Sequence, residues 1–163
     1  AICFYEKDLE ISQKTLSPNH PELAVSYNNI GVVYEEMHDY TNALLYYEKA
    51  LKIKQQTLPS NHLDFAGSYN NIGNVYDEMG EYAKAISSYE QALVIKQQSL
   101  PQTHPSLATT YNNLGTTYER MKNYSKARSC FEKAVDIAQK SLPATHPTLK
   151  KCQNDLERIK TKM

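Results

Sequence analysis

Four histidines recur at a fixed interval and could, by residue type, ligate a metal ion. His20, His62, His104 and His146 are separated by steps of 42 residues. Zinc needs its ligands at about 2 Å, so the imidazoles would have to meet at one ion. Equivalent points of successive repeat units lie a helix pair apart, and each interhelix step is about 8–10 Å. We therefore expect no metal site and assign these histidines to loop packing or helix capping.

Paired asparagines recur at the same interval and could hydrogen-bond a polypeptide main chain. The pairs are Asn28-Asn29, Asn70-Asn71 and Asn112-Asn113. An amide side chain can donate to a peptide carbonyl and accept from a peptide N–H, so a row of amides can hold a main chain without reading its sequence. The alternative is structural: one member of each pair bonds a neighbouring turn or loop, or the whole face is merely solvated.

The sequence contains no pattern typical of catalysis or of cofactor binding. It has no glycine-rich phosphate loop, HExxH or GxSxG motif, and no cysteine has a local histidine partner. Asn123-Tyr124-Ser125 fits a glycosylation sequon, but such matches are frequent by chance. Nine of the thirteen tyrosines fall in columns shared by three repeat units, which indicates core packing rather than base stacking. We predict no enzyme activity and no cofactor.

Composition and charge favour a soluble cytoplasmic protein without nucleic-acid or membrane partners. The 18 basic and 18 acidic residues leave no net charge to attract a phosphate backbone or an anionic membrane. Cys3, Cys130 and Cys152 are odd in number and far apart, as expected in a reducing compartment. No apolar run approaches the roughly 20 residues needed to cross a bilayer.

A repeat of 42 residues organises the chain. The segment Tyr-Asn-Asn-Ile-Gly that starts at Tyr27 returns at Tyr69 and, with Leu for Ile, at Tyr111. Within a unit, apolar and small residues fall at three- and four-residue steps, which is typical of one face of a helix. A break near His38, Gly80 and Lys122 divides each unit into two helices. The period predicts an all-α solenoid in which each hairpin buries its apolar face against its neighbours.

The pattern predicts eight helices. They span about residues 1–17, 20–37, 40–57, 62–79, 82–99, 104–121, 124–141 and 146–161. Proline ends each second helix, Asn or Thr helps to cap the next first helix, and Gly80 suits a C-terminal cap.

Residues 1–163 are expected to form one array. Tyr5 aligns with Tyr47, so the chain should begin in the second half of a unit, as a fragment or a processed start would. The units are a truncated repeat at 1–18, full repeats at 20–60, 62–102 and 104–144, and a capping helix at 146–162. Polar Lys150, Glu157 and Lys160 indicate that this last helix is solvated.

Each unit also carries a spaced set of aromatic, apolar and small residues. In the first full unit they are Tyr27, Ile30, Gly31, Tyr34, Ala43, Tyr47 and Ala50. This spacing resembles the tetratricopeptide repeat signature, W-x2-L-G-x2-Y followed by A-x3-F-x2-A. The 42-residue unit is similar to the subtype found in kinesin light chain and nephrocystin-3. The resemblance implies a right-handed superhelical solenoid of antiparallel helix hairpins.

The resemblance also implies that the first helix of each unit lines a concave groove that captures a peptide. With the packing positions set aside, the free face of these helices supplies the candidate binding residues. They are Asn28, Asn29, Val32, Glu35, Asn70, Asn71, Asn74, Asp77, Asn112, Asn113, Thr116 and Glu119. The acidic rim, formed by Glu35, Glu36, Asp77, Glu78 and Glu119, favours a neutral or basic ligand. The cations that family members use to clamp a C-terminal carboxylate are missing at the matching positions.

The predicted function is a protein-binding scaffold or adaptor that recruits a peptide or partner protein through this groove. Two alternatives stay open. The array could be the regulatory or substrate-recruiting region of a larger enzyme. It could also be a structural spacer whose first helix stacks weakly, end to end, on another copy.

Overall fold

The computed structural model describes residues 2–162, apart from the side chains of Ile2, Cys3, Phe4 and Asp8. The expectations for Ala1 and Cys3 therefore lie outside the described residues. Over this range the chain forms eight helices and no strand. They are α1 (Ile2–Thr15), α2 (Pro21–Glu36), α3 (Tyr40–Thr57), α4 (Asp64–Glu78), α5 (Tyr82–Ser99), α6 (Pro105–Arg120), α7 (Tyr124–Ser141) and α8 (Pro147–Lys160). The prediction of eight helices is confirmed, with bounds within about two residues of those expected.

Neighbouring helices pack as antiparallel hairpins, α2 on α3, α4 on α5 and α6 on α7, and each hairpin packs on the next. In addition, α4 contacts α6 directly, and α6 contacts α8. The first helices of successive hairpins therefore approach one another and lie on the inner side of the stack. The predicted right-handed solenoid of helix hairpins is confirmed.

Close packing inside each hairpin depends on one glycine and one ring. A Cβ atom on Gly31 would lie 2.7 Å from the Tyr47 ring, and one on Gly73 would lie 2.7 Å from the Tyr89 ring. Both tyrosine side chains are almost completely buried. Because real Cβ contacts are longer than this, the ring can pack here only against a residue without a side chain. The third hairpin repeats the arrangement with Gly115 and Phe131.

Histidine, rather than the expected Asn or Thr, caps the incoming helices. The Nδ1 atoms of His20, His104 and His146 accept hydrogen bonds from the backbone N–H two residues later, at 3.1–3.3 Å. His62 does the same at 3.2 Å. The sequence-based assignment of these histidines to capping is therefore correct, whereas the assignment of capping to Asn or Thr is wrong. The imidazole reaches the free N–H because the next residue in three of the four helices is a proline, which has none.

The turns inside the hairpins share a left-handed residue. Gly80 has φ 77°, as its predicted role at a C-terminal cap requires. His38 and Lys122 take the same position in the other two hairpins, with φ 59° and 61°. These two turns therefore hold a non-glycine residue where glycine would be less strained.

Candidate functional site

The inner faces of α2, α4 and α6 carry two recesses. One has a volume of about 550 Å³, and Asn28 and Asn71 are among its lining residues. The other has a volume of about 510 Å³ and is lined by five further predicted residues, which are Glu35, Asn74, Asp77, Asn113 and Thr116. Seven of the twelve predicted binding residues thus line two recesses on the inner face.

Two amide pairs join adjacent repeats at these recesses. Asn71 Nδ2 donates to Asn28 Oδ1 at 3.3 Å, and Asn113 Nδ2 donates to Asn74 Oδ1 at 3.2 Å. The Tyr89 hydroxyl also donates to Asn74 Oδ1, at 2.7 Å. These bonds fix which way each amide faces, because one end of every amide is already engaged.

The other end of each amide keeps its hydrogen-bonding capacity. Asn28 and Asn74 retain their NH₂ groups as donors, and Asn71 and Asn113 retain their carbonyl oxygens as acceptors, with no partner in the described part of the chain. None of these four atoms is among the fully buried polar atoms without a partner. The joint between α2 and α4 and the joint between α4 and α6 therefore each have one free donor and one free acceptor.

The expectation that Asn112 lies on a free face is wrong. Its side chain is 2% exposed, and its Nδ2 donates to Asp155 Oδ2 at 2.9 Å. The last helix, α8, covers this position and supplies the acceptor. Asn70 is half-buried, and its Oδ1 accepts from the Thr110 hydroxyl at 3.2 Å. For these two residues the structural interpretation of the pairs describes the contacts seen.

The predicted acidic rim is largely neutralised by cations of the chain itself. Arg120 contacts Asp77 at 3.0 Å and Glu78 at 2.8 Å. Asp77 is only 7% exposed, and its burial raises the pKa of the carboxyl although Thr117 and Arg120 oppose the shift. The rim is therefore less acidic than the sequence predicts, because the arginine of the following repeat pairs with these acids once the repeats are stacked.

Glu119 is likewise paired inside the molecule. Arg158 contacts it at 2.6 Å and Lys162 at 2.9 Å. The hydrogen bond from Arg158, together with Lys162, lowers the pKa of Glu119 although partial burial opposes the shift. This carboxylate holds α8 in place and is not free to meet a ligand.

The remaining candidates on the inner face differ in their exposure and in their hydrogen bonds. Asn29 and Val32 are exposed on α2. Glu35 accepts a hydrogen bond from the Tyr47 hydroxyl at 2.6 Å. The Thr116 hydroxyl donates to the carbonyl of Asn112, one turn earlier in its own helix, at 3.1 Å. Asn29 and Val32 are therefore the most accessible of the predicted residues.

Two lysines in the first recess were missed by the sequence reasoning. Lys54 donates to the Ser68 hydroxyl at 2.9 Å, and Lys96 donates to the Thr110 hydroxyl at 2.7 Å. Neither belongs to an ion pair among the residues described. Burial lowers the pKa of Lys96 to about 8, and it lowers that of Lys54 although Asp64 opposes the shift. The signal was present in the sequence as a Lys-to-hydroxyl spacing that recurs after 42 residues.

The described part of the chain forms neither a metal-binding cluster nor a membrane-spanning helix. Over the described range, no group of three or more His, Cys, Asp or Glu side chains could hold a metal ion. No helix in residues 2–162 is both long and apolar enough to span a membrane.

Comparison with known proteins identifies a family and several similar structures. The chain matches the family described as tetratricopeptide repeat over residues 1–56 and 64–140. No curated protein matches its sequence. Among solved structures, a putative kinesin light chain with nearly identical TPR-like repeats from Podosopora anserina is 25% identical, with a TM-score of 0.82. The match covers 98% of this chain and 76% of that one.

Two further structures share the fold at lower identity. BtubC (BKLC) from P. vanneervenii is 23% identical with a TM-score of 0.86, and the match covers 96% of this chain and 63% of that chain. The apo form of RapI is 22% identical with a TM-score of 0.83, covering 99% of this chain and 56% of that chain. These proteins have similar helix stacks, and their names say nothing of what this chain binds.

Proposed function

Because the chain belongs to the tetratricopeptide repeat family, we propose that it binds a segment of another protein along the inner faces of α2, α4 and α6. The proposal rests on two pairs of asparagine side chains, in which each amide has one end hydrogen-bonded inside the protein and the other end free. Asn28 and Asn71 present a donor and an acceptor, and Asn74 and Asn113 present another such pair. A polypeptide main chain offers the complementary groups, a carbonyl and an N–H, in every residue.

The proposed ligand is an extended, neutral or basic peptide segment. Main-chain hydrogen bonds provide affinity, and the side chains of the ligand face Val32 and the two recesses. The acidity of the rim contributes less than the sequence predicts, because Asp77 and Glu119 are paired internally. We therefore assign recognition mainly to the amides.

We further propose that the array acts as a cytoplasmic adaptor rather than as an enzyme. Cys130 and Cys152 are free thiols, which fits a reducing compartment. The polar groups of the inner face are mainly amides, hydroxyls and paired ions, and the two unpaired lysines, Lys54 and Lys96, are each bonded to a hydroxyl; we take this set to suit binding more than proton transfer.

The proposal is tested with peptides selected against the wild-type protein from a random library. Dissociation constants are measured by fluorescence polarisation for the double variants Asn28→Ala/Asn71→Ala and Asn74→Ala/Asn113→Ala. Each variant removes two ligand hydrogen bonds worth about 1–3 kcal/mol together. Binding should therefore weaken by about five- to a hundredfold.

A matched control removes two amides from the other side of the molecule. Gln56→Ala/Gln98→Ala changes exposed residues of α3 and α5 and should leave each dissociation constant within about twofold. Circular dichroism confirms that all three variants are folded. Equal affinities for the wild type and both asparagine variants would end the proposal.

A second candidate is weak end-to-end association through α1, because this helix carries Ile11 with 62% of its surface exposed. Light scattering across a range of concentrations tests it. The mass should rise with concentration in the wild type but not in Ile11→Glu. A constant monomer mass would exclude it.

A further inference from the structure

The outer face of the array carries three equivalent tyrosines, and two of them lie under a lysine. Lys49 Nζ is 5.6 Å from the centre of the Tyr27 ring, and Lys133 Nζ is 5.4 Å from the centre of the Tyr111 ring. At these distances the ammonium is attracted by the negative face of the ring. Lys49 is also 4.9 Å from the Tyr46 ring, whereas the third unit has Cys130 at the equivalent position, so the Lys133 contact shows the attraction of this tyrosine position most directly.

The hydroxyl groups of the same two tyrosines are also engaged. Gln13 Nε2 donates to the Tyr27 hydroxyl at 2.8 Å, and Gln97 Nε2 donates to the Tyr111 hydroxyl at 2.9 Å. In these two repeats the tyrosine hydroxyl accepts a hydrogen bond from a glutamine of the preceding unit, and the ring contacts a lysine of its own unit.

The middle copy, Tyr69, has neither contact. Gln91 replaces the lysine that the other two units have at this position. Gln55 occupies the position of the bonding glutamine, yet the described residues show no hydrogen bond between it and Tyr69. The middle tyrosine thus retains a ring face and a hydroxyl that its two equivalents use internally.

A recess of about 570 Å³ opens at this tyrosine. Leu58, Phe65 and Val94 give it an apolar lining, and Glu90 supplies a carboxylate at its edge. Glu90 makes none of the ion pairs found in the described range. A recess with an apolar wall, an open ring face and an unpaired carboxylate is complementary to an aliphatic stem that ends in a cation.

We propose that this recess, which we call the Tyr69 recess, binds a single lysine side chain of a partner protein. The ammonium lies over the Tyr69 ring, as those of Lys49 and Lys133 lie over the equivalent rings of the flanking units, and it lies near Glu90. The stem packs on Leu58 and Val94. The site is on the other side of the array from the inner-face amides and does not depend on them.

The probe is Nα-acetyl-lysine methylamide, and its control is Nα-acetyl-norleucine methylamide, which keeps the aliphatic stem and lacks the ammonium. Both are titrated into the isotope-labelled full chain and followed by NMR. The lysine probe should shift the Tyr69 ring and Gln91 side-chain amide resonances. At equal concentration the norleucine probe should give a response about fivefold smaller, since the cation adds its attraction to the ring.

Two substitutions of exposed residues should move the response to the lysine probe from Tyr69 to Tyr111. Gln91→Lys supplies the missing cation from within the chain and should remove the response at Tyr69. Lys133→Gln takes the cation from the third unit and should create a lysine-dependent response at Tyr111. Both residues are exposed, so the fold is expected to tolerate the changes.

The result that overturns the proposal is a response that does not depend on the ammonium or on the recess. Equal shifts from both probes, no shift at Tyr69 at the highest soluble concentration, or an unchanged response in Gln91→Lys would each do so. The variant Asn74→Ala/Asn113→Ala should leave the Tyr69 response unchanged. Failure of the inner-face proposal and failure of this one are therefore distinguishable.

Discussion

The joints between repeats differ at the two ends of the array, although the helices that form them are equivalent. Between α2 and α4 the inner-face contact is neutral, an amide of Asn71 on an amide of Asn28. Between α6 and α8 the equivalent contact contains a charged residue, because Asp155 accepts hydrogen bonds from Asn112 and from Arg158. The amide joint leaves one donor and one acceptor that are not fully buried, whereas at the ionic joint Asn112 is buried and its Oδ1 has no partner among the described residues.

A second column differs in the same direction. The first two joints place Lys54 against Ser68 and Lys96 against Thr110. At the last joint the equivalent residues are Ala138 and Cys152, both buried. The last joint therefore has an apolar interior where the first two joints have a polar one.

The comparison shows that the packing residues and the polar residues of the inner face occupy different positions of the repeat. The glycine and the ring that fit together inside a hairpin are kept in all three hairpins. At two other positions of the repeat the residue changes, from Asn71 to Asp155 and from Lys54 to Ala138, and the helices still stack in the same way. A substitution can therefore change a polar group of the inner face while the helices stay in place.

The largest effect is expected at the contact between glycine and aromatic ring, which is the same in all three hairpins. Gly73→Leu should unfold the array or lower its free energy of unfolding by more than about 3 kcal/mol, because even a Cβ atom would lie 2.7 Å from the buried Tyr89 ring. Circular dichroism melting measures the change. A melting temperature equal to that of the wild type would refute this account of the packing.

The matched control is the other glycine of the same helix. Nothing lies within 4 Å of a Cβ atom built on Gly67. Gly67→Ala should therefore stabilise the protein by about 0.5–1 kcal/mol, since alanine is the better helix former.

The next effect separates the two kinds of joint. Asp155→Ala should lower the free energy of unfolding by about 2–3 kcal/mol, because it leaves the buried Asn112 amide without its acceptor. Asn71→Ala, in the equivalent position, should cost less than about 1 kcal/mol, because water can replace its bond to the half-buried Asn28. Urea unfolding measures both. Equal losses would show that the joints do not differ.

Much of this organisation was accessible from the sequence, for a physical reason. Gly73 and Tyr89 recur after 42 residues with their equivalents, and helical periodicity places them on the packed face. Periodicity assigns a face to each residue but not a partner. It therefore could not show that Asp155 would bury Asn112, which depends on how α8 sits on α6.

The lysines were missed for a related reason. The sequence-based candidates come from the first helix of each unit, whereas the long side chain of Lys96 crosses from the second helix α5 to a hydroxyl on α6. Reach of this kind depends on side-chain length and on the distance between helices, neither of which a hydrophobic pattern contains. The neutralised rim has the same origin, because Arg120 approaches Asp77 of the preceding unit only once the units are stacked.

The smallest effect in this series concerns the pH dependence of the polar joint. Burial lowers the pKa of Lys96 to about 8, below the value of about 10.4 of an exposed lysine. The unfolded chain therefore holds more protons than the folded one between about pH 8 and 10, and stability contributed by this group rises with pH in that range. Relative to Lys96→Met, the wild type should gain about 2 kcal/mol in free energy of unfolding between about pH 7.5 and 9.5.

Urea unfolding of both proteins at the two pH values measures the gain, and the difference between them cancels other groups that titrate in the same range. The thiols of Cys130 and Cys152 are the main ones, because an unfolded thiol has a pKa of about 8.5 and burial raises the pKa of each in the folded protein. Lys54→Met is the matched variant and should show a smaller gain, because Asp64 opposes the lowering of the pKa of Lys54. A difference between wild type and Lys96→Met that does not change with pH would mean that the pKa of Lys96 is the same in the folded and the unfolded protein. Burying this ammonium would then cost no electrostatic free energy relative to the apolar residue Ala138 at the equivalent position.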